Sequence, residues 1–267
     1  MNMLQLEEMR SRLKTQLLPT NIEYRPQVGS TMDLVRAQLE AGAPEGMLAL
    51  TDEQLAGRGR QGRNWVTPPG SALLFSLGLR PTWLALTEAM TLVWLAAVAL
   101  CEGIAEATGL DPQLKWPNDV LLPDPGNPTG WAKTAGILLE TNIGETGMAW
   151  AILGCGINVS ASPPPEAGLR SPATDLSRSL GAPVERLAVF EAILHHMDDW
   201  YRRLQAGERP ALFAAWRSRL VSIGREVTVQ TAAGSLQGLA LDVAADGALR
   251  VRDATGEVHL VTHGDVS

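Results

Sequence analysis

Three arginines alternate with three glycines in one short run, Gly57-Arg58-Gly59-Arg60-Gln61-Gly62-Arg63, and Trp65 follows. Glycine lets backbone N–H groups come close to an anion. Arginine offers a planar fork of donors that suits phosphate or carboxylate. The run reads either as an anion-binding loop or as a solvated basic loop of the kind used in RNA-binding segments. Its place between two apolar stretches favours the first. A second run, Lys115-Trp116-Pro117-Asn118-Asp119, sets an ammonium, an amide and a carboxylate within five residues beside a rigid proline. It could position a nucleotide and a metal ion, or be no more than a strand end and its turn. Lys133 enters an apolar strand that continues Gly136-Ile137-Leu138-Leu139-Glu140. A lysine there is either aimed at an anion or snorkels to the surface. Gly154-Cys155-Gly156-Ile157-Asn158-Val159 puts glycines inside a strand, which suits close approach of another backbone or a ligand and suits packing equally well.

The elements that must position these residues follow from periodicity. Leu4 to Leu18 suggests a short amphipathic helix, and Ile22 to Val28 a strand. Ser30 or Thr31 caps a helix that ends at Gly42, and Met47 to Thr51 is a short strand. The basic loop, Ala56 to Arg63, comes next. Leu73, Phe75, Leu77 and Leu79 alternate as a half-buried strand, and Thr87 to Thr108 is an apolar helix. Leu114 to Leu122 and Lys133 to Asn142 read as strands joined by a Pro/Gly turn, and Met148 to Val159 as a further strand. A Pro- and Ser-rich loop, Ser160 to Ala173, precedes two helices, one carrying Phe190, Ile193, Met197 and Tyr201 and one opened by Pro210. After Val221 the texture changes to short strands: Val227 to Thr231, Leu236 to Val243, Ala248 to Asp253 and Val258 to Thr262. Ala233-Gly234, Asp246-Gly247 and Thr255-Gly256 punctuate them. Two units are expected, 1–220 and 221–267, the second a small all-β module of SH3-like size.

Composition narrows the class. The 267 residues are 45% hydrophobic and 19% charged, the balance of a globular protein with a packed core. A formal charge of −7 disfavours a broad nucleic-acid surface, so no nucleic-acid partner is expected. Cys101 and Cys155 have no metal-site spacing and read as buried thiols of a reducing cytoplasm. No secretory signal is seen, and the apolar stretch Ala89 to Cys101 is too short to cross a bilayer comfortably, so no membrane partner is expected. His195 and His196 are adjacent on a helix, not at metal-ligand spacing, and are expected at the surface or its rim.

In this order and together, the four runs closely resemble the biotin protein ligase family. Its pattern is a GRGRxGR-W loop, then KWPND, then K-x-x-G-I-L-x-E, then GxGIN. Gly29-Ser30-Thr31-Met32-Asp33 resembles the family's biotin-contacting segment, and Gln54 matches the glutamine before the loop. Ile223-Gly224 through Gly264-Asp265-Val266-Ser267 resembles its C-terminal barrel. The resemblance implies an α+β fold, a mixed sheet flanked by helices related to class II aminoacyl-tRNA synthetases, followed by an SH3-like barrel. It implies a ligase that makes biotinyl-5′-AMP from biotin and ATP and passes biotin to a lysine of a biotin carboxyl carrier protein, such as that of acetyl-CoA carboxylase. Within it, Lys133, Arg60 and Lys115 are the expected catalytic residues. Ser30, Thr31, Met32, Gln54, Arg58, Gly59, Arg60, Lys133 and Gly136 are expected to hold biotin. Arg58, Arg60, Arg63, Trp65, Lys115, Asn118, Asp119 and Asn158 are expected to hold ATP, with Asp119 contacting Mg²⁺. Members that also repress transcription carry an N-terminal winged helix-turn-helix. Only about 20 residues precede the first strand here, so that role is expected to be absent. A monomer or homodimer is expected. The rival readings are a lipoate ligase or octanoyl transferase on the same scaffold, and a non-catalytic biotin-sensing regulator.

Overall fold

The computed structural model describes residues 3–145, 147–163, 172–231 and 234–267. Helix α1 (Met3–Arg12) stops short of the expected Leu18. The N–H groups of Gln16, Leu17 and Leu18 go instead to the buried carboxylate of Asp198, at 2.8, 2.8 and 2.6 Å. A helix cannot continue through donors committed elsewhere.

Strand β1 (Asn21–Val28), helix α2 (Thr31–Glu40) and strand β2 (Met47–Gln54) form a crossover with β1 parallel to β2. The remaining neighbours in this sheet are antiparallel: β3 (Ala72–Leu79), β4 (Gln113–Lys115), β5 (Asp119–Pro123), β6 (Trp131–Gly144) and β7 (Gly147–Asn158). Their order is β1-β2-β3-β7-β6-β5-β4. The expected strand Leu114 to Leu122 is two strands, β4 and β5, folded back on each other around the cis peptide Trp116–Pro117. Proline lacks the N–H a continuous strand would need there.

One face of the sheet carries the main core. Helix α3 (Met90–Thr108) lies there against β5, β6 and β7, and packs on α5 (Arg186–Gln205) and α6 (Arg209–Ser218). Thr87 belongs to a short 3₁₀ turn before α3. The region 86–108 is apolar and long enough to span a membrane by composition, but 72% of its most apolar window is consumed by packing inside the protein. The other face is covered only in part: Met32, Val35 and Leu39 of α2 pack on Ala49, Trp150 and Ile152. The uncovered part of that face is the floor of the site. A short helix, α4 (Leu176–Leu180), capped by Asp175, was not expected from the sequence. Most of the Pro/Ser-rich loop, 164–171, and Ala233 of one expected turn lie outside the described residues.

The second sheet has five antiparallel strands, β8 (Glu226–Thr231), β9 (Gly234–Val243), β10 (Leu249–Arg252), β11 (Val258–Val261) and β12 (Asp265–Val266), in the order β11-β10-β9-β8-β12. The first four match the expected strands to within two residues. The last two-residue strand was too short to carry an alternation signal. The sheet forms a small SH3-like module.

Candidate active site

A cleft of about 1240 Å³ opens on the uncovered face, where β3, β6 and β7 form the floor, the 55–66 loop one wall, and the β4–β5 turn and β12 another. Every residue expected from the sequence to bind or catalyse lines it: Ser30, Thr31, Met32, Gln54, Arg58, Gly59, Arg60, Arg63, Trp65, Lys115, Asn118, Asp119, Lys133, Gly136 and Asn158.

The floor is made of glycines because side chains from elsewhere need the space. A Cβ on Gly156 would lie 2.6 Å from Cε2 of Trp65, and one on Gly154 would lie 2.9 Å from Sδ of Met32. A Cβ on Gly136 would meet the same indole, 3.1 Å from Cζ3. Of the two readings open for these glycines, packing is the observed one: the side chains of Trp65 and Met32 lie against them. Lys133 Nζ sits 5.5 Å from the centre of the Trp65 ring. The indole N–H of Trp65 is buried and finds no acceptor among the described residues. Asn158 leaves its Oδ1 in the same condition while its amide donates to the carbonyl of Thr174 at 3.0 Å. Buried polar atoms without partners are costly in a finished interior and are natural contacts for a ligand.

At one end, Gln54 Oε1 accepts from the backbone N–H of Thr31 at 2.8 Å and from its hydroxyl at 3.1 Å. The Thr31 hydroxyl also lies 2.7 Å from that of Ser76. With its oxygen so occupied, Gln54 has its amide N–H groups left for a ligand. Ser76 was missed from the sequence. Its signal was a lone hydroxyl in the apolar strand Leu73 to Leu79.

At the other end, charge converges. Asp119 lies 2.6 Å from Lys133 and 3.6 Å from Lys115. Burial pushes its carboxyl up, but these two ammonium groups outweigh burial and hold it below the ordinary aspartate value. Arg60 donates to Asn118 Oδ1 at 3.1 Å, the Gly264 carbonyl at 3.2 Å and Asp265 at 3.4 Å. Arg63 reaches Asp265 at 2.6 Å. Asn118 is fixed in turn by donating to the Ile137 carbonyl at 2.7 Å. Asp265 is a second residue whose role sequence reasoning did not assign. Four cationic side chains, Arg60, Arg63, Lys115 and Lys133, face the two carboxylates of Asp119 and Asp265 here, a surplus of two in a chain of net charge −7.

The donor set does not fit a resident Mg²⁺. A divalent cation needs free oxygen ligands, and both oxygens of Asp119 face ammonium groups. Arg58 is also differently placed from expectation: it lines the cleft, yet its guanidinium turns onto Asp33 and Glu140, at 2.9 and 3.5 Å.

The loop itself is a narrow hairpin. Trp65 N–H donates to Gly57 O at 2.9 Å and Gly59 N–H to Arg63 O at 2.7 Å. A Cβ on Gly57 would meet the Trp65 carbonyl at 2.5 Å, so the base of the hairpin requires glycine there. Gln61 and Gly62 turn its tip with φ of 56° and 71°.

Residues 24–158 match the model of the biotin/lipoate A/B protein ligase family, and residues 222–267 match that of the biotin protein ligase C-terminal domain. The bifunctional ligase/repressor BirA of Bacillus subtilis is 34% identical over 93% of this chain and 74% of its own length. The chain belongs to the biotin protein ligase family. The biotin–[acetyl-CoA-carboxylase] ligase of Paracoccus denitrificans is 31% identical over 82% of this chain and 89% of its own. In fold, the biotin protein ligase from Aquifex aeolicus in complex with biotin and ATP superposes with a TM-score of 0.76, at 24% identity, over 93% of this chain and 98% of that one. The biotin protein ligase fold, a mixed sheet with flanking helices and a C-terminal β module, is thus common to both.

Proposed function

We propose that this biotin protein ligase joins biotin to ATP in the cleft, giving biotinyl-5′-AMP and pyrophosphate, and then passes the biotinyl group to a lysine of a biotin carboxyl carrier protein. The observation that carries this reading is the union of a cationic end with a glycine-floored, partly apolar end in one cleft. In the first step a carboxylate oxygen bonds to the α-phosphorus while the bond to pyrophosphate breaks. Two anions must meet, and Lys133, Arg60, Lys115 and Arg63 offset their repulsion in a partly buried site. In the second step an amine attacks the acyl carbon and AMP leaves.

The Gln54–Thr31–Ser76 cluster, with Ser30 and Met32, suits the ureido head of biotin, which brings one carbonyl and two N–H groups. Asn158 Oδ1 is an unfilled acceptor suited to the exocyclic amine of adenine, and Trp65 offers a flat face beside it. Gly59 and Gly136 contribute space and backbone. The division near Leu220 is proposed as the domain boundary, because backbone pairing with β4 ends at Val221, whose N–H donates to Leu114 O at 2.9 Å, and Gly224 N–H already donates to Ala240 O of the second sheet at 2.8 Å.

The deciding test is ATP–pyrophosphate exchange by purified protein with biotin, lipoate or octanoate. Exchange with biotin alone is expected. Exchange with lipoate or octanoate and not with biotin would overturn the reading.

A further inference from the structure

We propose that Glu140, with Asp33 and Arg36, is a positioning residue of the ligase: it pins the basic loop through Arg58 and so sets where Arg60 and Arg63 stand over the cleft. This deepens the biotin ligase reading and rests on it.

Four side chains from three elements alternate in charge. Arg58 Nη1 lies 2.9 Å from Asp33, and Arg36 lies 2.7 Å from Asp33. Glu140 on β6 contacts Arg36 directly and stands 3.5 Å from Arg58 Nη2. That Nη2 is buried and makes no hydrogen bond among the described residues, and Glu140 is the carboxylate beside it, as Asp33 is beside Nη1. Two guanidiniums and two carboxylates cancel. An arriving phosphate therefore feels little field from Arg58, unlike Lys133 or Arg60, whose neighbourhood keeps a positive surplus. The use of the quartet is mechanical. Arg58 pairs across the loop with Asn64, so holding its side chain holds both legs of the hairpin. Glu140 is well sited for this: it lies on the same face of β6 as Gly136 and Leu138, two floor residues, one step further out.

The test uses Glu140→Gln, which keeps size and hydrogen-bonding capacity and removes the charge. Two readouts are taken on the full chain: release of biotinyl-AMP after one turnover, and tryptic cleavage at the Arg58–Gly59 bond. In the wild type that bond should resist while the cut falls after Arg63, the most exposed of the three arginines. In the variant, adenylate release should quicken about tenfold and the 58–59 bond should open to trypsin. Glu140→Asp, which restores a carboxylate, should recover most of both losses. If Glu140→Gln fails to fold, Asp33→Asn breaks the other arm of the quartet and carries the same expectations. An adenylate half-life equal to wild type, or a 58–59 bond no more cleavable, overturns the proposal. Adenylate held more tightly than in wild type would mean that Arg58 leaves the quartet for the ligand, and overturns it too. Should the wild type show no biotin-dependent exchange, the ligase reading fails, while the cleavage pattern still decides whether the pin exists.

Discussion

Lys133 is a lysine on a β-strand with one carboxylate partner, Asp119, at 2.6 Å. In the proposed chemistry it exchanges that partner for the anions of the reaction. Lys133→Ala should then lower the exchange rate by about 10²–10³-fold, the usual loss when one stabilising donor is removed. Asp119 keeps Lys115 at 3.6 Å, so the fold should survive. Exchange kinetics beside a thermal melt check both parts, and wild-type exchange in the variant would remove Lys133 from the mechanism. Gly156 makes a complementary case, in which nothing is removed and space is lost. Gly156→Val pushes atoms into the Trp65 indole, already at the contact limit. Displacing that ring should lower kcat/KM for ATP by about 10²-fold. Unchanged ATP kinetics would show that the ring position is irrelevant to the nucleotide.

At the scale of the element, the basic loop behaves differently from what its sequence suggests. Three arginines close together repel if nothing answers them. In the fold each is answered: Arg58 by Asp33 and Glu140, and Arg60 and Arg63 by Asp265. None of these carboxylates is near the loop in sequence, so the pairing was not legible there. The glycine floor was legible only in part: glycine inside a strand left close approach and packing both open, and the fold sets the side chains of Trp65 and Met32 against it. The strands β3 and β7 were legible, because their apolar patterns are long and regular. The split of β4 from β5 was not, since three residues are too few to show a period. Arg60 is the loop residue that ties the cleft to the second sheet, through Asn118, Gly264 and Asp265. Arg60→Gly loses all three ties and opens the cleft to water. The variant should release biotinyl-AMP and label lysines on bystander proteins, several-fold above wild type in a streptavidin blot. Adenylate retained as in wild type would count against the loop as a barrier to solvent.

At the scale of the whole molecule, the contact between α3 and α5 in the main core carries a titratable group. His196 on α5 stands 3.3 Å from Glu102 and 2.8 Å from Glu106 of α3, with Arg219 beside Glu102 at 3.4 Å and the Trp200 indole donating to Glu102 at 2.7 Å. The hydrogen bond to Glu102 is the main cause that holds the imidazole above its ordinary value, against burial and with help from Glu106. A raised imidazole contributes stability that is complete below the ordinary value of 6.5 and fades as pH rises through the raised one. Glu102, held low despite burial, keeps its charge well into acid. His196→Gln should therefore melt below wild type by about 2 °C at pH 6, with the gap closing by pH 9. A gap independent of pH would mean that the histidine stays neutral there.

Trp116 stands between the pocket residues Lys115 and Asn118, and its indole donates to the carbonyl of Gly247 in the second sheet at 2.9 Å. Its backbone N–H meets Ser222 Oγ at 3.2 Å. The turn that carries the charged groups is thus also the hinge plate on which the C-terminal module is mounted. Swapping that module for one from a relative would re-seat the turn and shift the ammonium and amide beside it. A chimaera whose halves both fold can still lose its chemistry at the seam, so the two parts have to be inherited as a matched set.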